Sequence, residues 1–187
     1  HVLDWMVALL DLPERFRSDG AGGGVLQDSA SSATLCALLA ARDRAVRAGA
    51  AIGDLVAYAS AHTHSSLEKG ARVAGLVAGQ VRVVDADDDF AMLPEALADA
   101  MAEDRSAGRA PFFCCATVGT TSSLAVDPVA ALAAVVADRG VWLHVDGAMA
   151  AAARVAAISV PMHTALRIGL GVAARIRAVN PGCHVSF

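Results

Sequence analysis

Residues 141–150 read VWLHVDGAMA: an apolar run that admits one histidine, His144, closes on one carboxylate, Asp146, and passes into small residues. β-Branched and aromatic residues behind the turn signal DRG predict a strand covered on both faces, as in a parallel sheet. In open α/β sheets ligands bind outside the carboxyl ends of the strands, and Asp146 falls at such an end. A carboxylate there can equally end the strand by hydrogen-bonding its own turn. The segment alone leaves both readings open.

Working outward, the pattern recurs. LVAYAS (55–60), VRVVD (81–85) and PFFCCATVG (111–119) read as strands, and helices are predicted over 1–16, 31–48, 64–76, 93–105 and 127–140. Strands alternating with helices of about 10 to 15 residues predict an α/β fold, a mostly parallel sheet flanked by helices. The first helix is expected to present Val2, Trp5, Met6, Leu9 and Leu10 as one apolar face. Because the chain opens on His1 already inside that pattern, it reads as part of something longer.

Composition narrows the function classes. With 56% hydrophobic and 18% charged residues, the 187-residue chain is a well-buried globular protein. A net charge of −4 argues against a nucleic-acid partner, because binding phosphates takes clustered Lys and Arg. No uninterrupted apolar stretch of about 18 residues occurs and no basic start precedes a hydrophobic core, so neither a membrane partner nor secretion is expected. Cys36, Cys114, Cys115 and Cys183 lack CxxC spacing, and the two inside PFFCCATVG read as buried thiols of a reducing, cytoplasmic protein.

Four positions carry candidate chemistry. GGGVLQDSASSATLCALLAAR places Ser29, Ala30 and Ser31 at a helix start, where unpaired N–H groups and the helix dipole suit a phosphate. Ordinary N-capping by serine is the alternative. No strand precedes GAGGG, so it is no dinucleotide fingerprint. His64 follows the strand LVAYAS, where an imidazole can stack on a flat ring, move a proton or simply cap a helix. Thr120 and Thr121 follow the strand PFFCCATVG, placed for a ligand or for turn chemistry. With Asp146 these positions share one edge of the sheet, and that convergence favours a binding site.

The segments GGGVLQDSASSATLCALLAAR, HTHSSLEKGARVAG, PFFCCATVGTTSSLAVDPV and WLHVDGAMA, in that order, resemble the group II pyridoxal-phosphate-dependent amino-acid decarboxylases. The likeness is to the aromatic-L-amino-acid and tyrosine decarboxylase type and covers residues 1–153. It implies an incomplete fold-type-I large domain over 1–153. When intact, the enzyme is a homodimer that removes the α-carboxylate of a small-molecule amino-acid substrate to give an amine and CO₂. By motif match, Ser29, Ala30 and Ser31 fall on the cofactor-phosphate segment and His64 on the histidine stacked over the pyridine ring. Thr121 falls on the second threonine of the GTT motif, Asp146 on the partner of the ring nitrogen, and Ala148 on a small residue packed near the ring. His64, Thr121 and Asp146 are thus the expected catalytic groups, and no metal is expected. Gly147 and Met149 depart from the pattern, where the family often has Ala and an aromatic.

The chemistry also requires a lysine to hold the cofactor covalently, which the family carries about thirty residues past the aspartate in a motif like NPHKW. The only lysine here is Lys69, in the helix leading away from His64 and read as a surface residue. NPGCH at 180–184 has Gly182 and Cys183 where His and Lys belong. Residues 147–187 carry four arginines and no acid, whereas the first 146 hold eleven basic against nineteen acidic groups. Residues 154–187 therefore read as a tail without a clear helix or strand pattern, taken from a shifted frame, or else the chain is an inactive homologue. Two other classes remain: an inactive chain that dimerises with an intact partner, and a metal-dependent hydrolase using His62, His64, His144 and Asp146 at i, i+2 spacings. No GxSxG elbow supports a serine hydrolase.

Overall fold

The computed structural model describes residues 2–10, 12–20, 23–137 and 139–151, together with the backbone of 184–186. Residues 180–183 and most of the expected tail lie outside the described residues. Helix α1 (Val2–Leu9) is followed, after a long link, by α2 (Ala30–Arg47). Then come β1 (Leu55–Ser60), α3 (Ser66–Val73), β2 (Val81–Val84), α4 (Pro94–Ser106), β3 (Ala110–Thr117), α5 (Val129–Val136), β4 (Trp142–Asp146) and the short β5 (His184–Ser186). The strands form one parallel sheet in the order β2-β1-β3-β4-β5. β5 was not expected from the tail sequence.

The sheet is buried on both faces. Every residue of β1 and β4 is buried, which is why these strands read as near-continuous apolar runs. One face packs Tyr58, Cys114, Ala116, Leu143 and Val145 against α4 and α5. The other packs Ala57, Phe113, Cys115 and Trp142 against α2 and α3. The β1–β3 register slips where Val56 faces Pro111 and Ala57 faces Phe113. Pro111 has no N–H for the ladder, so an irregularity there is expected.

The predicted helix over 1–16 is two elements. α1 ends at Leu9, and a 3₁₀ turn occupies Glu14–Phe16 after Pro13, whose φ of −54° and ψ of 140° are not helical. Proline lacks an amide donor and disfavours helix in the residue before it, which accounts for the break. The inward face also differs from expectation. Val7 and Leu10 are buried, whereas Val2, Trp5 and Leu9 are exposed, Trp5 by 65%. Leu10 and Met6 of the expected face do turn inward, Met6 lining with Leu3 and Val7 a cavity of about 520 Å³ between α1, the glycine-rich link and α2.

Several polar groups buried in and beside the sheet are paired. Tyr58 donates to Asp104 at 2.7 Å, and Arg82 and Arg109 each meet the same carboxylate at 3.2 Å. Burial, then the Asp104 partner, pushes the Tyr58 hydroxyl far above the usual tyrosine range. Gln80 donates to the Ile52 and Leu55 carbonyls and accepts from Val77. None of the described helices is long and apolar enough to cross a membrane.

Candidate active site

The chain leaves β1 through α3 to the outer strand β2, returns by α4 to β3, and continues by α5 to β4. Connections leave β1 and β3 in opposite directions, and such a switch point opens a crevice at the carboxyl ends of the strands. The loop after β1 carries His62 and His64, the loop after β3 carries Thr120 and Thr121, and β4 ends on Asp146.

α2 reaches the same edge. Its Arg44 donates to the Gly140 carbonyl at 2.7 Å and lies over Trp142 at 5.1 Å, whereas Thr34, three turns earlier, meets His144 Nε2 at 3.2 Å. The helix therefore runs antiparallel to β4, with its N-terminus toward Asp146. Ser29 is the N-cap, its side chain accepting from the Ser32 amide at 3.3 Å. Ser29 and Ser31 are exposed, Ala30 half-buried. Asp28 also accepts from the Ser32 hydroxyl. Capping and phosphate binding are thus not exclusive here: the cap satisfies one amide and leaves others of the first turn to a ligand.

His64 is exposed, in the turn just before α3 rather than in the helix itself. Its Nδ1 accepts from the Ser66 amide at 3.3 Å and lies 2.9 Å from the Ser66 hydroxyl. An amide donating to Nδ1 puts the proton of the neutral ring on Nε2 and fixes the ring plane. In the GTT turn the two threonines part company. Thr120 is fully buried, 2.6 Å from the Ser123 hydroxyl and accepting from the Ala125 amide at 3.0 Å. Thr121 is exposed, so the residue singled out from the sequence is the one open to a ligand.

Asp146 is 7% exposed, and its Oδ1 accepts from the Ala148 amide at 3.1 Å. Its second oxygen makes no hydrogen bond among the described residues. A nearly buried carboxylate with an acceptor to spare suits a protonated ring nitrogen, so the donor set fits pyridoxal phosphate. Ala148 contributes its amide to that carboxylate, and its side chain is exposed like that of Met149. Covalent attachment does not fit the described residues, because Lys69 is exposed on α3. Beneath the site, burial first and the Asp146 charge second push the Cys115 thiol well above its ordinary range, leaving it a neutral core group.

The metal constellation does not assemble. His144 is fully buried, its ring on Thr34 and stacked on Phe113 at 5.6 Å. No group of three or more His, Cys, Asp or Glu gathers to hold a metal among the described residues.

One buried carboxylate in the loops around the site escaped the sequence reading. Asp127 is fully buried and accepts from two backbone amides, Met92 at 2.8 Å and Thr117 at 2.7 Å. Burial raises its carboxyl, an effect opposed by those two amides. In sequence it is only the D of DPV, a turn signal ahead of a helix.

Residues 1–180 match the family model of the pyridoxal-dependent decarboxylase conserved domain. The chain is 49% identical over 156 residues to phenylacetaldehyde synthase of Arabidopsis thaliana, covering 81% of this chain and 32% of that protein. It is also 49% identical over 156 residues to tyrosine decarboxylase 2 of Narcissus pseudonarcissus, covering 81% and 31%. Among solved structures, Catharanthus roseus tryptophan decarboxylase in complex with L-tryptophan superposes with a TM-score of 0.80 at 37% identity, over 91% of this chain and 37% of that one. Oryza sativa TDC with PLP and tryptamine gives 0.77 at 42% identity, over 80% and 32%. The chain thus spans about a third of the length of the curated relatives it matches. With its parallel sheet, its strand-end aspartate and this match along most of its length, the chain belongs to the pyridoxal-dependent decarboxylase family.

Proposed function

We propose that this chain supplies the cofactor-binding part of an enzyme that decarboxylates an aromatic L-amino acid to the amine and CO₂, and that the chain by itself binds pyridoxal phosphate without covalent attachment. The observation that carries this reading is Asp146, buried at the end of β4 with one oxygen committed to Ala148. Ser29, Ala30 and Ser31 hold the phosphate, His64 offers its flat ring, Thr121 contacts the cofactor region, and Ala148 stays small beside the ring. When bound, pyridoxal phosphate supplies an electron-accepting ring for the pair left at Cα as CO₂ departs. Asp146 keeps the proton at the ring nitrogen by a charge-assisted hydrogen bond.

The aromatic substrate class is supported by relatives named for tyrosine and tryptophan decarboxylation. A homodimer is the assembly expected of the intact-length protein. Two buried cysteines in no disulfide, Cys114 and Cys115, support a reducing, cytoplasmic setting.

The purified chain is expected to bind pyridoxal phosphate reversibly, seen as fluorescence quenching that dilution reverses. Borohydride treatment followed by mass analysis is expected to leave no adduct. A reduced adduct on Lys69 overturns the placement of that residue, and no quenching at all overturns the cofactor site.

The segment 154–187 is, on this reading, a normal decarboxylase sequence displaced into another frame, a reading opposed by the family match, which runs on to residue 180. Its support is the loss of every acid after Asp146. One of the other two forward frames of the encoding DNA, read from the codon after Ala152, is expected to give an acidic α/β sequence with an NPHKW-like lysine about thirty residues past Asp146. If neither frame does, the frameshift reading fails, and the lysine-free chain is an inactive homologue in its own right or a truncation.

A further inference from the structure

The three loops at the carboxyl edge are tied to one another by side chains that are not among the expected cofactor contacts. Asp127 lies fully buried in the segment between β3 and α5. One oxygen accepts from the Met92 amide at 2.8 Å, in the loop after β2, and the other from the Thr117 amide at 2.7 Å, at the end of β3. The Asp127 amide returns to the Thr117 carbonyl at 2.9 Å, and Val118 bridges to Val126, which closes the turn carrying Thr120 and Thr121.

The loop after β2 is tight. Asp87 accepts from the Asp89 and Ala91 amides at 3.0 and 2.9 Å, and Ala86 bridges to Met92. At its tip Phe90 holds a φ of 64°, a conformation a bulky side chain rarely adopts, with its ring 4.7 Å from that of His62. His62 stands two residues before His64, and its amide donates to Ser60 at 3.3 Å.

We propose that Asp127 is a positioning residue for this site: its carboxylate locks the loops after β2 and β3 together and, through Phe90 against His62, sets the loop that presents His64. The proposal rests on the cofactor reading above. A carboxylate accepting two amides from separate loops holds both in one register. With it gone, two buried amides must find water, and the loops must move to let them.

The test uses the whole chain, pyridoxal phosphate as probe, and a control at a second buried carboxylate contact on the α4 face of the sheet. Tyr58→Phe removes the hydroxyl that Asp104 accepts from. Asp127→Ala is expected to weaken pyridoxal phosphate binding about tenfold or more. Exchange of the hydrogen-bonded Thr63 and Thr120 amides, in the loops that present His64 and Thr121, is expected to rise about as much. Tyr58→Phe is expected to change neither by more than about twofold, although it lowers the unfolding temperature. Asp127→Asn, which keeps one acceptor oxygen, falls between. Equal weakening by Asp127→Ala and Tyr58→Phe makes Asp127 merely structural and overturns the proposal. So does weakened binding with unchanged exchange at Thr63 and Thr120. If the wild-type chain binds no pyridoxal phosphate, the cofactor reading fails and exchange alone decides Asp127: acceleration confined to the Asp127 variant sustains it, and none overturns it. Should Asp127→Ala not fold, Asp127→Asn and Phe90→Leu carry the same comparison, with exchange at Thr63 as the readout.

Discussion

Replacing Asp146 with alanine in the intact-length protein is expected to cut amine release by about a thousandfold, whereas His64→Phe costs about tenfold. The first change removes the charge that keeps the ring nitrogen protonated, a group placed in advance in a nearly buried site. Losing one such preorganised partner typically costs 10²–10³ in rate, or about 3 to 4 kcal/mol. His64→Phe keeps a flat face, and stacking beyond simple burial is worth about 0.5–1.5 kcal/mol. Steady-state rates of amine formation decide between the two roles, and equal losses sink the assignment.

The same substitution separates function from folding. Asp146 is 7% exposed, and its carboxylate accepts only the Ala148 amide among the described residues. A buried charge with so little compensation contributes nothing to stability and often opposes it. The Asp146→Ala protein is therefore expected to unfold at the wild-type temperature or slightly above it, in the absence of cofactor. A large drop in unfolding temperature would mean that Asp146 is a structural group after all.

What the sequence discloses follows from how local each signal is. LVAYAS and VWLHVD announce themselves because a strand buried on both faces needs apolar residues at every position, and the observed strands fall within one residue of those runs. Asp146 and Ser29 were legible for a related reason: the end of a strand and the start of a helix are positions that a linear reading can find. The face of α1 was not. Of Val2–Leu10 all but Asp4 are apolar, so periodicity alone does not choose between the stripe on Val7 and Leu10 and the one on Trp5 and Leu9. Thr120 and Thr121 are chemically identical neighbours, and only the path of the turn decides that one is buried. Asp127 was beyond reach, since its partners Thr117 and Met92 lie 10 and 35 residues back in the chain. His144 belongs with them. At i, i+2 from Asp146 it imitates a metal ligand, and only Thr34, 110 residues away, shows it to be a core group.

Gly119 sets the second large effect. It holds a φ of +82°, and a Cβ built there would stand 2.5 Å from the Ala150 Cβ and 3.4 Å from that of Met149. Neither neighbour can step aside by rotating a side chain, because a Cβ moves only with its backbone. The loop after β3 and the turn after Asp146 are nested at this point, and the nesting requires that one partner carry no side chain. Gly119→Ala therefore incurs two costs: about 1–2 kcal/mol for a non-glycine residue in the left-handed region, and a further 1–3 kcal/mol for overpacking against backbone. The sum, about 3 kcal/mol, corresponds to a fall in unfolding temperature of roughly 6–12 °C for a domain of this size. Gly79 isolates the first cost, since it has a φ of +85° and no atom within 4 Å of the added Cβ. Gly79→Ala is expected to lose only about 1 kcal/mol. Thermal unfolding of the two variants side by side measures the difference, and equal losses would show that the contact with Ala150 is not a constraint. Because Ala148 and Asp146 lie on the turn that must yield, Gly119→Ala is also expected to weaken pyridoxal phosphate binding, and Gly79→Ala to leave it as it is.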